Sequence, residues 1–447
     1  MTLILVSSTV FSAERAKPQL LWQKEFKTEI NSVAVSSDGL RIAVTTDPGT
    51  IILKDNRYEQ ELTDGTRREG KRNVWVGTSS LYYLDNKGNT LWKYEVKADD
   101  SKNNAKLKAE TSEFKRKHII TDDGVKLGRV LISDNGEYVS CEVTQHYSIH
   151  RGVNDPHLTG ENCEVIKTIL FDKQGKQLWS DDGSSVIKIF PDGSSCLMTT
   201  VEPNDFIECI SREGKVLWKR EKPLRENSSI QATADGKRII IENTVYNKFG
   251  KIEFVYPEAN TYLTDITKDG AYIIGKKYED TSTDWREDVA MNAFLQLFCL
   301  DINAKKVLWK REKADEPEFN DTFDRFYFCI QDKERYLLSI GRHGSKYRGL
   351  VRIYDLINGN LLYFLKMSFK QSDFGALSDS IPFKLINNGK NILLVQRKSS
   401  VYSLVSGEYQ QEFIDNIIWI SDDNKYLVNK GGDEKSLYYH DVTNSLK

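Results

Sequence analysis

Three of the chain's six histidines, His146, His150 and His157, fall with Asp155 inside residues 146–162. Imidazole nitrogens and a carboxylate suit zinc, copper or nickel. Their spacing matches no ligand signature, and no helix or strand is expected there to fix their geometry. The stretch therefore reads first as a solvated polar loop, and no metal is expected. Trp285 and Arg286 sit among Asp280, Asp284, Glu287 and Asp288. An indole in acidic surroundings either anchors its loop or offers a stacking platform to a ring, sugar or peptide. Arg342, His343, Lys346, Tyr347 and Arg348 form a basic, glycine-flanked stretch. It can neutralise a carboxylate or phosphate, or pair with the acidic stretch. These are the candidate ligand- or partner-binding residues, and no catalytic residue is nominated.

Several chemistries are absent from the sequence. It contains no phosphate-cradling Gly-x-x-x-x-Gly-Lys-Ser/Thr (Gly65 to Lys71 and Gly270 to Lys276 fit the spacing, but Arg72 and Lys277 follow), no Gly-x-Ser-x-Gly elbow and no His-Glu-x-x-His. Lysine plus arginine (63) nearly balances aspartate plus glutamate (65) over 447 residues, so no global field attracts nucleic acid or anionic lipid. No apolar run approaches the roughly 20 residues of a membrane-spanning helix. The six cysteines include no Cys-x-x-Cys pair, which removes metal-ribbon and thioredoxin-type readings. Cys196 and Cys209 are expected on adjacent strands of one hairpin, where a bridge is conceivable. Buried free thiols are the favoured state for most of the six.

The elements that must position these residues come from two interleaved repeats. One phrase runs from Asp85 to Trp92 and recurs from Asp172 to Trp179, Ser211 to Trp218 and Asn247 to Phe254. Versions one residue longer run from Asp301 to Trp309 and from Asp355 to Tyr363. Each is a polar turn between an apolar strand and a strand opening on a large apolar or aromatic residue. The other phrase pairs Asp or Asn with Gly before an apolar strand, as at Asp38-Gly39, Asn135-Gly136, Asp192-Gly193, Asp235-Gly236, Asp269-Gly270 and Asn388-Gly389. Such dipeptides make hairpin turns because Gly and Asn accept positive φ. Repeats that cannot bury their own faces imply stacking.

The Gly-to-Trp turn resembles the repeat of the pyrroloquinoline-quinone-type (quinoprotein-like) propellers. The Asp-Gly hairpin and Tyr354-Asp355-Leu356-Ile357-Asn358-Gly359 resemble WD-repeat blades. The expected fold is all-β: a closed β-propeller of four-stranded antiparallel blades, eight by the hairpin count, with seven or nine as alternatives. Residues 1–18 form a signal-like or disordered segment and 19–447 one propeller domain. The strand around Gln19 to Lys24 is expected to complete the C-terminal blade and remove its open edge. Trp22, Trp92, Trp179, Trp218 and Trp309 are expected to wedge between blades. Insertions are placed at about 47–72, 98–126, 146–162, 278–292 and 341–349.

In an up-and-down blade the first-to-second and third-to-fourth turns share one face of the disc. The second-to-third connections and blade-to-blade links share the other, and the clearest long insertions fall in this second set. Long loops on a rigid scaffold usually carry function. The expectation is a non-catalytic scaffold binding a protein or peptide through that face, with no nucleic acid and no membrane segment beyond a signal peptide. Met1 to Ala13 is apolar and small before polar Glu14 to Pro18, which resembles a secretory signal. Export to the periplasm or exterior is therefore expected, with a cytoplasmic location if the segment stays uncleaved. The alternative is a quinoprotein-like oxidoreductase or carbohydrate-active enzyme with its site in the central funnel. No cofactor is expected; pyrroloquinoline quinone and calcium stay open with that alternative. The vicinal Cys-Cys typical of the quinone enzymes does not occur.

Overall fold

Short polar acceptors make the turns of both repeats. Asp85 Oδ1 accepts the backbone N–H groups of Lys87 and Asn89, each at 2.9 Å. Asp172 and Asn247 do the same in their copies, and Ser211 does so with its hydroxyl. The other hairpin uses a hydroxyl two residues before the Asp or Asn. Ser133 Oγ donates to Asn135 Oδ1 at 2.7 Å and accepts from Tyr138 N at 3.0 Å. Ser36 and Thr267 repeat this arrangement. Side chains thereby satisfy backbone groups that a tight turn leaves unpaired.

The computed structural model describes residues 18–61, 67–97, 118–151, 159–190, 192–200, 206–221, 230–233, 236–258, 261–267, 269–278, 294–312, 326–331, 336–343, 348–368, 383–386, 391–394, 398–403, 409–421 and 424–445. Among these the strands form eight antiparallel sheets, the blades. Blade 1 comprises Ile30–Val35, Arg41–Thr46, the C-terminal part of Arg67–Asp85, and Thr90–Lys97. Blade 2 comprises His118–Ile132, Tyr138–Arg151, Thr159–Asp172 and Gln177–Asp181. Blade 3 runs from Ser184–Ile189 to Val216–Glu221, and blade 4 from Ile230–Ala232 to Ile252–Val255. Blade 5 runs from Thr261–Ile266 to Lys306–Glu312, blade 6 from Phe326–Gln331 to Leu361–Ser368, and blade 7 from Phe383–Ile386 to Tyr409–Asp415. Blade 8 takes Ile417–Ile420, Tyr426–Lys430 and Ser436–Asp441 from the C-terminal end and Gln19–Glu25 from the N-terminal end. Gln19 pairs with Asp441 and Glu25 with Ser436, as expected from the unit left without a fourth strand.

The core lies between blades. Ala43, Leu81 and Tyr83 of blade 1 pack with Leu127, Val139 and Phe171 of blade 2. Ile42, Val44 and Leu84 on the other face of blade 1 pack with Val428, Leu437 and Tyr439 of blade 8. Blade 8 thus lies against blade 1 as well as blade 7, whose Leu393 and Val401 meet Ile417 and Leu427. The cysteine geometry follows from the same two-sidedness. Cys196 pairs with Ile210 and Cys209 with Leu197, so one residue of offset sends the two thiols to opposite faces. Cys196 joins the cluster shared with blade 2, and Cys209 the one shared with blade 4. No bridge forms between them; Cys141, Cys196, Cys209 and Cys299 are buried free thiols. Cys163 and Cys329 have side chains outside the described residues.

A clasp repeats at the outer rim. Trp22, Trp92, Trp179, Trp218 and Trp309 lie against Gly88, Gly175, Gly214, Gly250 and Gly359, each in the third-to-fourth turn of the following blade. Gly359 (φ +70°) leaves no room for a side chain: a Cβ there would lie 2.5 Å from Trp309 Cδ2. The indole N–H then donates to the same turn, Trp22 to Asn86 O at 2.7 Å, Trp218 to Lys248 O at 2.9 Å and Trp309 to Leu356 O at 2.9 Å. Two residues on, a basic side chain reaches the glycine carbonyl: Lys24 to Gly88 O at 3.0 Å, Arg220 to Gly250 O at 2.9 Å and Arg311 to Gly359 O at 3.1 Å. Pairing slips by one residue just before each tryptophan, as between Gln177 and Trp179. These bulges turn the aromatic toward its neighbour and leave Leu21, Leu91 and Leu217 exposed.

The appended strands differ from expectation. Thr50 to Val76, which fits no unit in the sequence, is a hairpin: Gly49–Glu61 pairs with the N-terminal part of Arg67–Asp85, from Gly49↔Gly77 to Glu61↔Arg67. The 146–162 stretch, expected as an irregular loop, continues two strands of blade 2, with His146↔Cys163 and His150↔Thr159 in register. Part of the 98–126 insertion is likewise strand, from His118 onward. Stretches such as Val143 to Ile149 are rich in β-branched and aromatic residues, which favour extended backbone despite interspersed polar ones. At 341–349 the strands run to His343 and resume at Arg348.

Trp179 is 8% exposed, whereas Trp218 is only half-buried. Trp179→Ala is expected to cost about 3 kcal/mol or more, and Trp218→Ala less, measured as shifts in chemical-denaturation midpoints at unchanged m. Gly250→Ala should also destabilise, because a Cβ at φ +73° would lie 2.7 Å from Trp218 Cγ.

Candidate interaction surface

Connection lengths are uneven between the two edges of the blades. First-to-second turns span no more than the five residues between Val35 and Arg41, and third-to-fourth turns are as short as Asp85 to Thr90. The inserted hairpin of blade 1, the extension of blade 2 and the Tyr278-to-Phe294 connection all join second to third strands. The 98–117, 313–325 and 369–382 links join one blade to the next.

Where the strands of blades 1 and 2 reach that second edge, the seam between them turns from apolar to polar. Asn31 Nδ2 donates to Leu127 O at 2.7 Å and Thr45 Oγ1 to Gly128 O at 2.9 Å. Ser79 Oγ donates to Thr46 O at 2.5 Å and accepts from Leu127 N at 2.9 Å. Val130 N donates to Ser32 Oγ at 3.2 Å. Lys126 Nζ forms an ion pair with Asp47 Oδ1 at 3.3 Å. Each bond crosses the seam or braces it. Together they hold the strand from His118 to Ile132, which continues outward as the inner strand of the blade 2 extension. One strand of the next junction is held similarly, through Ser185 Oγ donating to Glu142.

His146 stands at the root of this extension. Its Nε2 lies 3.3 Å from Thr144 Oγ1, and Thr144 donates to Lys126 O at 3.2 Å. Burial, with the Lys126 ammonium nearby, pushes the imidazole down to about 4, so it is neutral at pH 7. A neutral imidazole offers one hydrogen-bond donor and one acceptor. Of the other nominated residues, His150 lies in the strand Tyr138–Arg151 with its side chain outside the described residues. Asp155 and His157 lie outside them entirely, as do Trp285, Arg286 and Lys346. Arg342 and His343 face Gly349 and Arg348 across a hairpin whose side chains are likewise outside. No group of three potential metal ligands occurs among the described residues.

The second polar centre is one the sequence did not single out. Asp265 on the first strand of blade 5 accepts Ile266 N at 2.9 Å and, across the junction, Ile330 N of blade 6 at 2.8 Å. Burial raises its carboxyl to about 6 and lowers Lys276 on the neighbouring strand to about 8. Perturbed pairs of this kind mark functional sites. Here, though, both carboxylate oxygens hold backbone N–H groups, one in each blade, which makes Asp265 a latch. No spacing rule could find it: only the register places residue 265 against residue 330.

Four-stranded antiparallel sheets stacked face to face, with the N-terminal strand completing the last, decide the architecture. The fold is a β-propeller. No protein-family model matches the sequence, and no curated protein matches it. Among solved structures the chain is similar to the Dos1 propeller, at 10% identity and a TM-score of 0.52, over 95% of this chain and 96% of that one. It is also similar to Saccharomyces cerevisiae Sqt1, at 8% identity and a TM-score of 0.50, over 96% of this chain and 100% of that one. The first of these is itself a propeller, in line with the architecture described above. Identities this low speak for the propeller backbone and leave the site to be argued from this chain.

The neutral imidazole gives a pH prediction. The folded His146 binds its proton below about 4, and the unfolded one near the ordinary 6.5. Its contribution is therefore present above 6.5 and lost as pH falls from 6.5 toward 4. His146→Gln should lose less stability than the natural chain between pH 7 and 5, read from urea midpoints. Histidine-resolved NMR should find its ring titrating well below the ordinary range.

Proposed function

We propose that this propeller is an exported, non-catalytic scaffold that recruits a protein or peptide through the edge bearing its long connections. The supporting observation is the contrast between edges. The short turns of one edge serve as clasps between blades, while the appended hairpin, the blade 2 extension and the Tyr278-to-Phe294 connection leave from the other. Residues freed from holding blades together are where a rigid scaffold carries binding groups. The polar seam supports the same reading, since its hydrogen bonds hold the root of the blade 2 extension, with His146 beside it, and so give the extension a set direction. Export draws its support from the apolar start at Met1 to Ala13 and the polar turn that follows.

Cross-linking mass spectrometry in the source cells tests the binding face. Replacing 152–158 and 279–293 by short Gly-Ser links should remove the partners captured by the natural chain while leaving the thermal midpoint within a few degrees. Recovery of the same partners by the trimmed chain would refute the proposal. Sequencing the N-terminus of the mature protein tests export: a start near Glu14 supports it, and a retained Met1 places the protein in the cytoplasm.

A further inference from the structure

The bulges account for Leu21, Leu91 and Leu217 but not for three exposed residues of blade 4, nor for Ile357 and Tyr363 of blade 6. Phe249 is 72% exposed, at the turn position that Lys87, Gln174 and Glu213 hold in blades 1 to 3. Ile252 and Val255, each 47% exposed, stand on the fourth strand, whose outer edge pairs with no other strand among the described residues. Val216, 54% exposed, lies on the adjoining fourth strand of blade 3. The Trp218 and Arg220 clasp ties that strand to the turn of blade 4 that carries Phe249.

Open sheet edges are normally guarded by charge. The fourth strands of blades 1, 3 and 5 carry such guards: Lys93 and Glu95, then Lys219, Arg220 and Glu221, then Lys310, Arg311 and Glu312. Blade 4 has one charge on this strand, Glu253, and Arg238 Nε holds it at 3.0 Å. The surroundings are basic. Lys215, Lys248 and Lys251 form no ion pair among the described residues, although Asp192 lies within electrostatic reach of Lys248. Two acids of blade 3 are engaged: Glu208 by Lys219 at 2.5 Å and Glu213 by Arg212 at 3.3 Å.

We infer that the outer edge of blade 4 is a docking site for an extended peptide segment carrying acidic side chains around an apolar one. The peptide main chain adds to Ile252–Val255. Its apolar side chain covers Phe249, Ile252 and Val255, and its carboxylates meet Lys215, Lys248 and Lys251. A second copy of the chain is disfavoured as occupant, because two-fold pairing would set these lysines against themselves. A lipid surface would leave the backbone groups of the open edge unpaired. The site lies at the rim, away from the edge proposed above for partner recruitment, and does not depend on it.

The test selects a phage-displayed random dodecapeptide library on the immobilised full chain. An enriched peptide is then synthesised and titrated by fluorescence anisotropy. An acidic consensus with a central aromatic or aliphatic residue is expected. Binding should weaken about tenfold or more in Phe249→Ser and in the double variant Lys248→Glu, Lys251→Glu, and should weaken with salt. All three side chains are exposed, so melting curves of the variants should match the natural chain, and trimming 279–293 should leave this binding intact. The inference is overturned by any of three results: no consensus, or a peptide held equally by Phe249→Ser; a concentration-dependent dimer that Phe249→Ser abolishes; or Phe249-dependent binding to phosphatidylserine vesicles without peptide binding.

Discussion

The tryptophan–glycine clasp sets the terms for the rest of the molecule. A four-stranded blade has two apolar faces and cannot bury either alone, so the blades need a joint that fixes both their spacing and their order. An indole seated on a bare glycine supplies contact over a large apolar area, and its N–H fixes direction by reaching the neighbouring turn. The glycine meets two demands at once. Its positive φ closes the hairpin, and its missing Cβ makes the seat. The first-to-second turns add a parallel set of contacts, with Gly193 against Tyr138 and Gly236 against Phe190 of the preceding blade. Both turns on that edge are therefore committed to holding a neighbour. A longer turn would lift the glycine from its indole, which is a physical reason for the shortness of every turn there. The described connections of the opposite edge seat no indole, although some still bond across a junction, as Asp47 does to Lys126 and Glu242 O to Leu263 N.

Departures from the pattern show what each part contributes. Trp179 is the most buried of the set, yet its Nε1 has no hydrogen-bond partner among the described residues, and Asp181 stands where three of the others have Lys24, Arg220 and Arg311. Packing alone carries that joint, together with the cluster of Tyr138, Leu170, Val186, Met198 and Ile210. Blade 4 offers Phe254 in place of an indole, and blade 5 answers with Lys305 at φ +51° where the others have glycine. The smaller ring and the tolerated Cβ go together. At this junction the burden shifts inward, to Tyr256 stacked on Phe298 with ring centroids 4.5 Å apart.

Much of this was legible in the sequence because turn chemistry is local. An Asp or Asn beside Gly between two apolar runs marks a hairpin, and six such signals, with the glycine-less copies near Asp332 and Asp422, give the blades and the unit that borrows its fourth strand from the other terminus. The basic residue two places after the tryptophan was equally visible, at Lys24, Arg220 and Arg311, but its meaning needs the neighbouring blade. The extension of blade 2 was hidden for a different reason. Apolar alternation reports a strand with one buried face, and a sheet that projects beyond the disc is held by backbone pairing without that pattern. The thiols of Cys196 and Cys209 show the limit of proximity arguments. Adjacent strands were foreseen, but one residue of register decides the face. Of the nominated site residues, His146 alone has a described side chain, and its root in the polar seam could not be read from spacing.

That seam answers a question the clasp leaves open. Apolar contacts resist separation of blades but tolerate sliding, since a methyl group packs almost as well one residue along. A projecting sheet magnifies any slide at its root into displacement at its tip. Asn31, Thr45 and Ser79 instead fix individual carbonyl and N–H groups of Leu127 and Gly128. A shift of one residue would unpair all of them, and buried unpaired groups cost about 1–3 kcal/mol each. Polar residues therefore cluster at this junction because the strand they grip is the one that extends: several directional bonds are spent where position has to be transmitted outward, whereas the described residues of other junctions add only single latches such as Asp265 and Ser185 to their apolar area.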